Sequence, residues 1–126
     1  KLTDSISEKN AKESLKTLKT LSSTGEELSR IFFMIVRHFR ILLQVHEMAK
    51  KNENKLTITK KLKQHPFVIQ KTLSQSKGFT TEKLENIYQN LLKIDTDFKT
   101  GVIKAYQGDD SEYELAIEKL IINCCS

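Results

Sequence analysis

A chain of 126 residues has room for one domain with a core of its own, needing neither disulfides nor metal; 38% hydrophobic content with four glycines, one proline and no tryptophan points to a soluble, helix-rich fold. The net charge of +5 is a weak bias towards anionic partners. The longest apolar stretch is broken by Arg30, Arg37 and Arg40, which excludes a membrane span, and the only cysteines, Cys124 and Cys125, are adjacent, which excludes an ordinary disulfide between them and a two-pair zinc site and suits a reducing compartment.

The chain opens on Lys1-Leu2-Thr3 with neither methionine nor secretory leader, so it reads as a fragment of a longer protein: one helical domain over 1–126, with 1–6 the tail of a preceding domain. Ser7 is placed to cap a first helix carrying Ala11, Leu15, Leu18 and Leu21 at helical spacing, which Ser22 to Gly25 breaks. Thr24 and Glu27 make a capping box for a second helix running to about Lys51, striped by Leu28, Phe32, Ile35, Phe39, Leu42 and His46. Ile31, Val36, Leu43 and Val45 widen that stripe until most of the circumference is apolar, which puts this helix at the centre. After a polar loop at Asn52 to Lys55, Thr57 to Leu62 forms a short helix, and Pro66 begins another bearing Phe67, Val68 or Ile69, and Leu73, ended by Gly78. Thr80 or Thr81 caps a fifth helix with Leu84, Tyr88, Leu91, Asp95 and Phe98 on one seam, ending at Gly101. Ser111 and Glu114 form a second capping box, opening a last helix with Tyr113, Ala116, Ile117, Leu120, Ile121 and Cys124. The expected fold is all-α, a single compact bundle of about five to six helices.

All three arginines of the chain lie in the central apolar helix, while the other eighteen basic side chains are lysines. A planar guanidinium tolerates partial burial and makes forked hydrogen bonds, so arginine placed this way signals ion pairs inside a bundle or at a partner surface. Arg37, Arg40, Gln44 and Glu47 share one arc of the helix with Phe33, which must be covered either by a partner or by the last helix of the same domain. Phe33, Arg37 and Gln44, with Tyr113, Leu120 and Ile121 of the last helix, are the candidate interface with a partner. Asp95, sitting on an apolar seam, needs a partner, and Arg40 is expected to supply it as a structural ion pair whose loss on one side would cost about 3–5 kcal/mol.

Residues 55–81 contain no acidic side chain, yet Lys55, Lys60, Lys61, Lys63, Lys71 and Lys77 lie there. The short helix, tight turn and second helix of this segment have a helix-turn-helix rhythm, and Lys60, Lys61, Lys63, Lys71 and Lys77 are candidate DNA contacts in the alternative reading of the chain as a DNA-binding module. Catalysis finds no foothold. His38, His46 and His65 lack the spacing that grips a metal, there is no glycine-rich phosphate loop or nucleophile elbow, and no catalytic, cofactor-binding or metal-ligating residue is assigned.

Four segments taken in order carry a family resemblance: Gly25-Glu26-Glu27 followed by the run Val36 to Val45; Leu62 to Lys71; Leu92 to Gly101; and the apolar end closing in Cys124-Cys125-Ser126. With them the chain resembles the C-terminal domain of the delta subunit of bacterial DNA polymerase III, a component of the clamp loader. The resemblance spans most of the chain, and Arg40, Asp95, Lys99 and Gly101 match its motif positions best. It implies a collar-like helical bundle, a non-catalytic piece without cofactor that joins the collar domains of the tau/gamma and delta-prime subunits in the cytoplasm. It also implies that the sliding clamp is touched only through an absent N-terminal domain, that nucleotide is bound by tau/gamma, and that contact with DNA is indirect. The stretch from Gly101 to Ser111 is longer and more polar than the family's usual link to the last helix.

Overall fold

The computed structural model describes residues 2–104 and 109–126, which form seven helices: α1 (Leu2–Ser7), α2 (Ala11–Ser23), α3 (Leu28–Lys50), α4 (Lys55–Leu62), α5 (Pro66–Ser76), α6 (Thr81–Lys99) and α7 (Ser111–Cys125). The longest helix, α3, is the axis of the bundle, touching α1, α4, α5, α6 and α7. Its buried side is Leu28, Ile31, Phe32, Ile35, Phe39, Leu42 and Val45: five members of the predicted stripe joined by Ile31 and Val45 from its border, while His46, also predicted in the stripe, is only half-buried. Each is worth about 1.5–3 kcal/mol for leaving water, which is why a 23-residue helix with three arginines still sits in the middle.

The core has two parts. The larger joins α1, α2, α3, α6 and α7 through Ile6, Leu18, Ile35, Phe39, Leu84, Ile87, Leu91 and Ile117; the smaller, at the far end of α3, joins Val45 to Ile58 of α4 and Ile69 of α5. The linker residue Phe79 bridges α3 to the α5–α6 connection, edge-on to Phe39 at 6.1 Å between ring centroids.

Residues 2–6, read in the sequence as part of a tail, form α1 together with Ser7, and its Leu2 and Ile6 enter the main core. Polar bonds fasten this helix on three sides. Asp4 accepts from Lys71 Nζ at 3.2 Å and Gln75 Nε2 at 3.0 Å on α5, Ser5 Oγ accepts from the fully buried Ser14 of α2 at 3.1 Å, and Ser7 Oγ hydrogen-bonds His38 Nε2 on α3.

Three expected caps are displaced. Ser7 ends α1 instead of capping the next helix; Asn10 caps α2, its side chain accepting from Glu13 N at 3.1 Å. Thr24 closes α2 by donating its hydroxyl to Leu21 O, so no capping box forms with Glu27, which precedes α3 with no side-chain cap. Ser111 donates both N–H and O–H to Asp109 Oδ1, at 3.2 and 2.8 Å, so its hydroxyl is not available to the backbone of α7. For Thr24 and Ser111 a local turn captured the hydroxyl first. Elsewhere the expected ends hold: Pro66 is the first residue of α5, Thr80 caps α6 by accepting from Lys83 N at 3.0 Å, and Gly101 leaves α6 with φ +83°, a conformation costly for any residue with a Cβ.

Candidate protein-binding groove

Two doublets, Phe32-Phe33 on α3 and Leu91-Leu92 on α6, define the most chemically distinctive surface. Successive helical residues point about 100° apart, so only one member of each pair can enter the core. Phe32 and Leu91 are buried, whereas Phe33 is 66% exposed and Leu92 44% exposed. The space between them is a groove of about 390 Å³, floored by Phe32, Leu91, Phe98 and Tyr113, walled by Val36 and Tyr88, and rimmed by Arg40, Asp95 and Lys99. Its floor is stiff: Tyr113 stacks on Phe98 at 4.3 Å and leans on Phe32 at 5.9 Å. Burial, with the nearby Asp95 carboxylate, pushes the Tyr113 phenol up to about 12, so it stays protonated at neutral pH.

Arg40 and Asp95 do reach the same groove, but they do not form the expected ion pair. Asp95 is not sealed in a core seam; its side chain is 41% exposed and Oδ2 accepts from Lys99 Nζ at 3.0 Å, one turn along α6. A neighbour on the same helix satisfies the carboxylate without a clasp between helices. Arg40 and Arg37 are exposed, and neither has a carboxylate within 4.0 Å among the described residues, whereas Arg30 pairs with Glu26 at 3.8 Å. Asp95→Asn is therefore expected to change stability by less than about 1 kcal/mol, since exposed i,i+4 pairs contribute only a few tenths. A loss of about 3 kcal/mol or more in urea denaturation would restore the buried-pair picture.

The candidate interface residues divide. Phe33, Arg37 and Gln44 are exposed, and α7 does not cover Phe33. Tyr113, Leu120 and Ile121 instead lie in the main core at 4%, 3% and 0% exposure, because that stripe of α7 is spent on packing against its own bundle. The apolar side chains that α7 does show to solvent are Leu115 and Ile122, seven residues apart on the opposite side; the helix is apolar around most of its girth, which concealed them.

The lysine-rich segment builds the expected helix pair, α4 and α5, joined by Lys63, Gln64 and His65. Lys60, Lys61, Lys63 and Lys77 are exposed, but Lys61 Nζ is bonded to Glu53 at 2.6 Å. Lys71 of the would-be recognition helix is half-buried, held by Asp4 and set over the Phe67 ring at 5.6 Å. The three histidines serve separate structural ends: His38 bonds Ser7, His46 Nε2 meets Thr81 Oγ1 at 3.0 Å, and His65 Nδ1 caps α5 by accepting from Phe67 N. Among the described residues no three His, Cys, Asp or Glu side chains are grouped to hold a metal ion, and no helix is long and apolar enough to cross a membrane. Burial, reinforced by its neighbour Cys125, pushes the Cys124 thiol up to about 12, and burial also raises Cys125, so both remain thiols at neutral pH.

Comparison with known proteins agrees with the resemblance read from the sequence. The sequence model of the family described as DNA polymerase III delta subunit, C-terminal domain, matches residues 1–123. A curated Bacillus subtilis protein, DNA polymerase III subunit delta, is 31% identical over 100 residues, 79% of this chain and 29% of that protein. The solved structure of the Bacillus subtilis DNA clamp loader delta protein superposes with a TM-score of 0.82 at 26% identity, covering 98% of this chain and 34% of the other. The chain thus spans about a third of the length of these relatives.

Proposed function

This chain belongs to the family formed by the C-terminal domains of DNA polymerase III delta proteins, and from that premise we propose that it is a non-catalytic assembly domain of a bacterial clamp loader, holding its parent protein in a collar with tau/gamma and delta-prime. The observation that carries this reading is the surface of α3: a 66% exposed phenylalanine followed by two arginines that have no carboxylate partner among the described residues, beside an open apolar groove. Exposed aromatic and arginine side chains grouped together are the composition of a protein interface, whereas a solvated helix face would carry lysine and glutamate. The histidines are hydrogen-bonded within the bundle and the thiols are held protonated by burial. Contact with the sliding clamp falls to the portion of the delta protein outside this chain, and the work takes place in the cytoplasm. The alternative of a DNA-binding module on 55–77 draws no support from a recognition helix whose Lys71 is occupied by Asp4.

Mixing the chain with the tau/gamma and delta-prime proteins of its own organism should give a complex that elutes as one species, its mass measurable by light scattering. Separate elution of all three at micromolar concentration would overturn the assignment.

A further inference from the structure

The outer face of α3 and the groove beside it specify the chemistry of what covers them. Phe33, Arg37, Arg40 and Gln44 recur at helical spacing along one side of α3 and extend over about 16 Å, or about three turns. Of the three arginines in the chain, Arg30 is paired with Glu26 and the other two have no carboxylate partner within ion-pair distance among the described residues. The remaining charges of the rim, Asp95 and Lys99, neutralise one another at 3.0 Å. What is left is an apolar slot flanked by a net positive edge.

Resting on the assembly reading above, we propose that this groove receives an amphipathic helix of a different subunit, one that sets a bulky aliphatic or aromatic anchor between Phe33 and Leu92 and presents carboxylates to Arg37 and Arg40. Three observations select that occupant. The slot runs between two helices, α3 and α6, and a helix laid into a groove satisfies its own backbone while offering an apolar stripe. The guanidinium of Arg40 on the rim, with that of Arg37 one turn earlier on the same exposed side of α3, calls for forked hydrogen bonds from acidic side chains. A second copy of this chain is disfavoured, because a two-fold contact through this face brings together two surfaces that carry the same net positive charge and offers Arg37 and Arg40 no surplus carboxylates.

The test measures binding of the chain to purified tau/gamma and delta-prime proteins by calorimetry at two salt concentrations. Arg37→Glu with Arg40→Glu should weaken binding at least ~100-fold, Arg37→Lys with Arg40→Lys about 10-fold, and Phe33→Ala at least ~10-fold. Lys60→Glu with Lys77→Glu, an equal change of charge on α4 and after α5, should move affinity by less than about threefold. Melting temperatures should be unchanged throughout, since all five positions are exposed. If the unaltered chain binds and the α3 variants bind equally well, the groove proposal fails while the assembly reading stands. Should the unaltered chain bind neither protein, both fall. A dimer of the chain alone that Phe33→Ala abolishes would make the occupant a second copy and overturn the proposal in that way.

Discussion

Phe39→Ala is expected to destabilise the protein by about 3–5 kcal/mol, because it removes an aromatic ring from a site that cannot collapse around the void. Phe39 is 1% exposed at the middle of α3. Phe79 stands edge-on to it at 6.1 Å and His38 edge-on at 5.7 Å, so three aromatic rings share one contact. Losing the middle ring strips cover from Phe79, which anchors the link between α5 and α6, and leaves α3 without its main contact there. Against a total stability of about 5–15 kcal/mol for a domain, this is a large share, and urea unfolding followed by circular dichroism would show it as a large drop in midpoint. Phe39→Leu should recover about half the loss, as volume is largely kept. Phe33→Ala, six residues away on the same helix, should cost less than about 0.5 kcal/mol, since that ring is already in water. Equal costs at the two positions would contradict the burial pattern from which the groove is built.

Acidification gives the second large effect. Burial drives His38 from the ordinary histidine value down to about 4; the Asp4 carboxylate pulls the other way and the Lys71 ammonium adds to the lowering. The ring is therefore neutral in the folded protein and tied to Ser7. The unfolded chain takes up a proton near pH 6.5 that the folded chain refuses until about pH 4. Stability from this group is thus complete above pH 6.5 and lost progressively between 6.5 and 4, by about 3 kcal/mol in all. Asp4 acts in a different window: burial would raise its carboxyl, but bonds from Gln75 and Lys71 hold it below the usual carboxylate value of 3.8, so its contribution is present above that value and disappears only in stronger acid. The two windows barely overlap. His38→Gln, which keeps a hydrogen-bonding group but cannot titrate, should flatten the stability profile from pH 6.5 to 4 while leaving the fall below 4 that Asp4 contributes. An unchanged slope in the upper window would show that His38 is not its source.

Helix content and the centrality of α3 could be read locally. Apolar residues every three or four positions declare a buried stripe without reference to anything distant, and the stripe of α3 is found buried as the spacing requires. Pro66, Thr80 and Gly101 likewise act through their own backbone. The displaced caps show where local reading reaches its edge: Thr24 and Ser111 carry the right side chain within a few residues of the right place, and competing turns at Leu21 and Asp109 took the hydroxyls. Helix α1 escaped notice because six residues are too few to establish a period.

The site was half visible. The confinement of arginine to one helix and the uncomfortable place of Phe33 on its polar arc pointed to this surface. The other half of the groove, Leu92 on α6 beside Phe98 and Tyr113, needed knowledge of which helix lies against α3. The same ignorance produced the mistaken choices. Tyr113, Leu120 and Ile121 look like any outward apolar row until α2, α3 and α6 are seen to cover them, and Asp95 looks buried until its turn of α6 is found at the rim; its partner Lys99, four residues on, was legible in the sequence.

Spacing along the chain determined the helices, their buried stripes and the family to which the protein belongs, because those depend on neighbours one turn away. Which apolar side chains remain in water, how α1 comes to be tied to α5 through Asp4 and Lys71, and how His38 is held neutral were decided by the packing of helices distant in sequence. Burial is a property of the space between segments, and no single segment contains it.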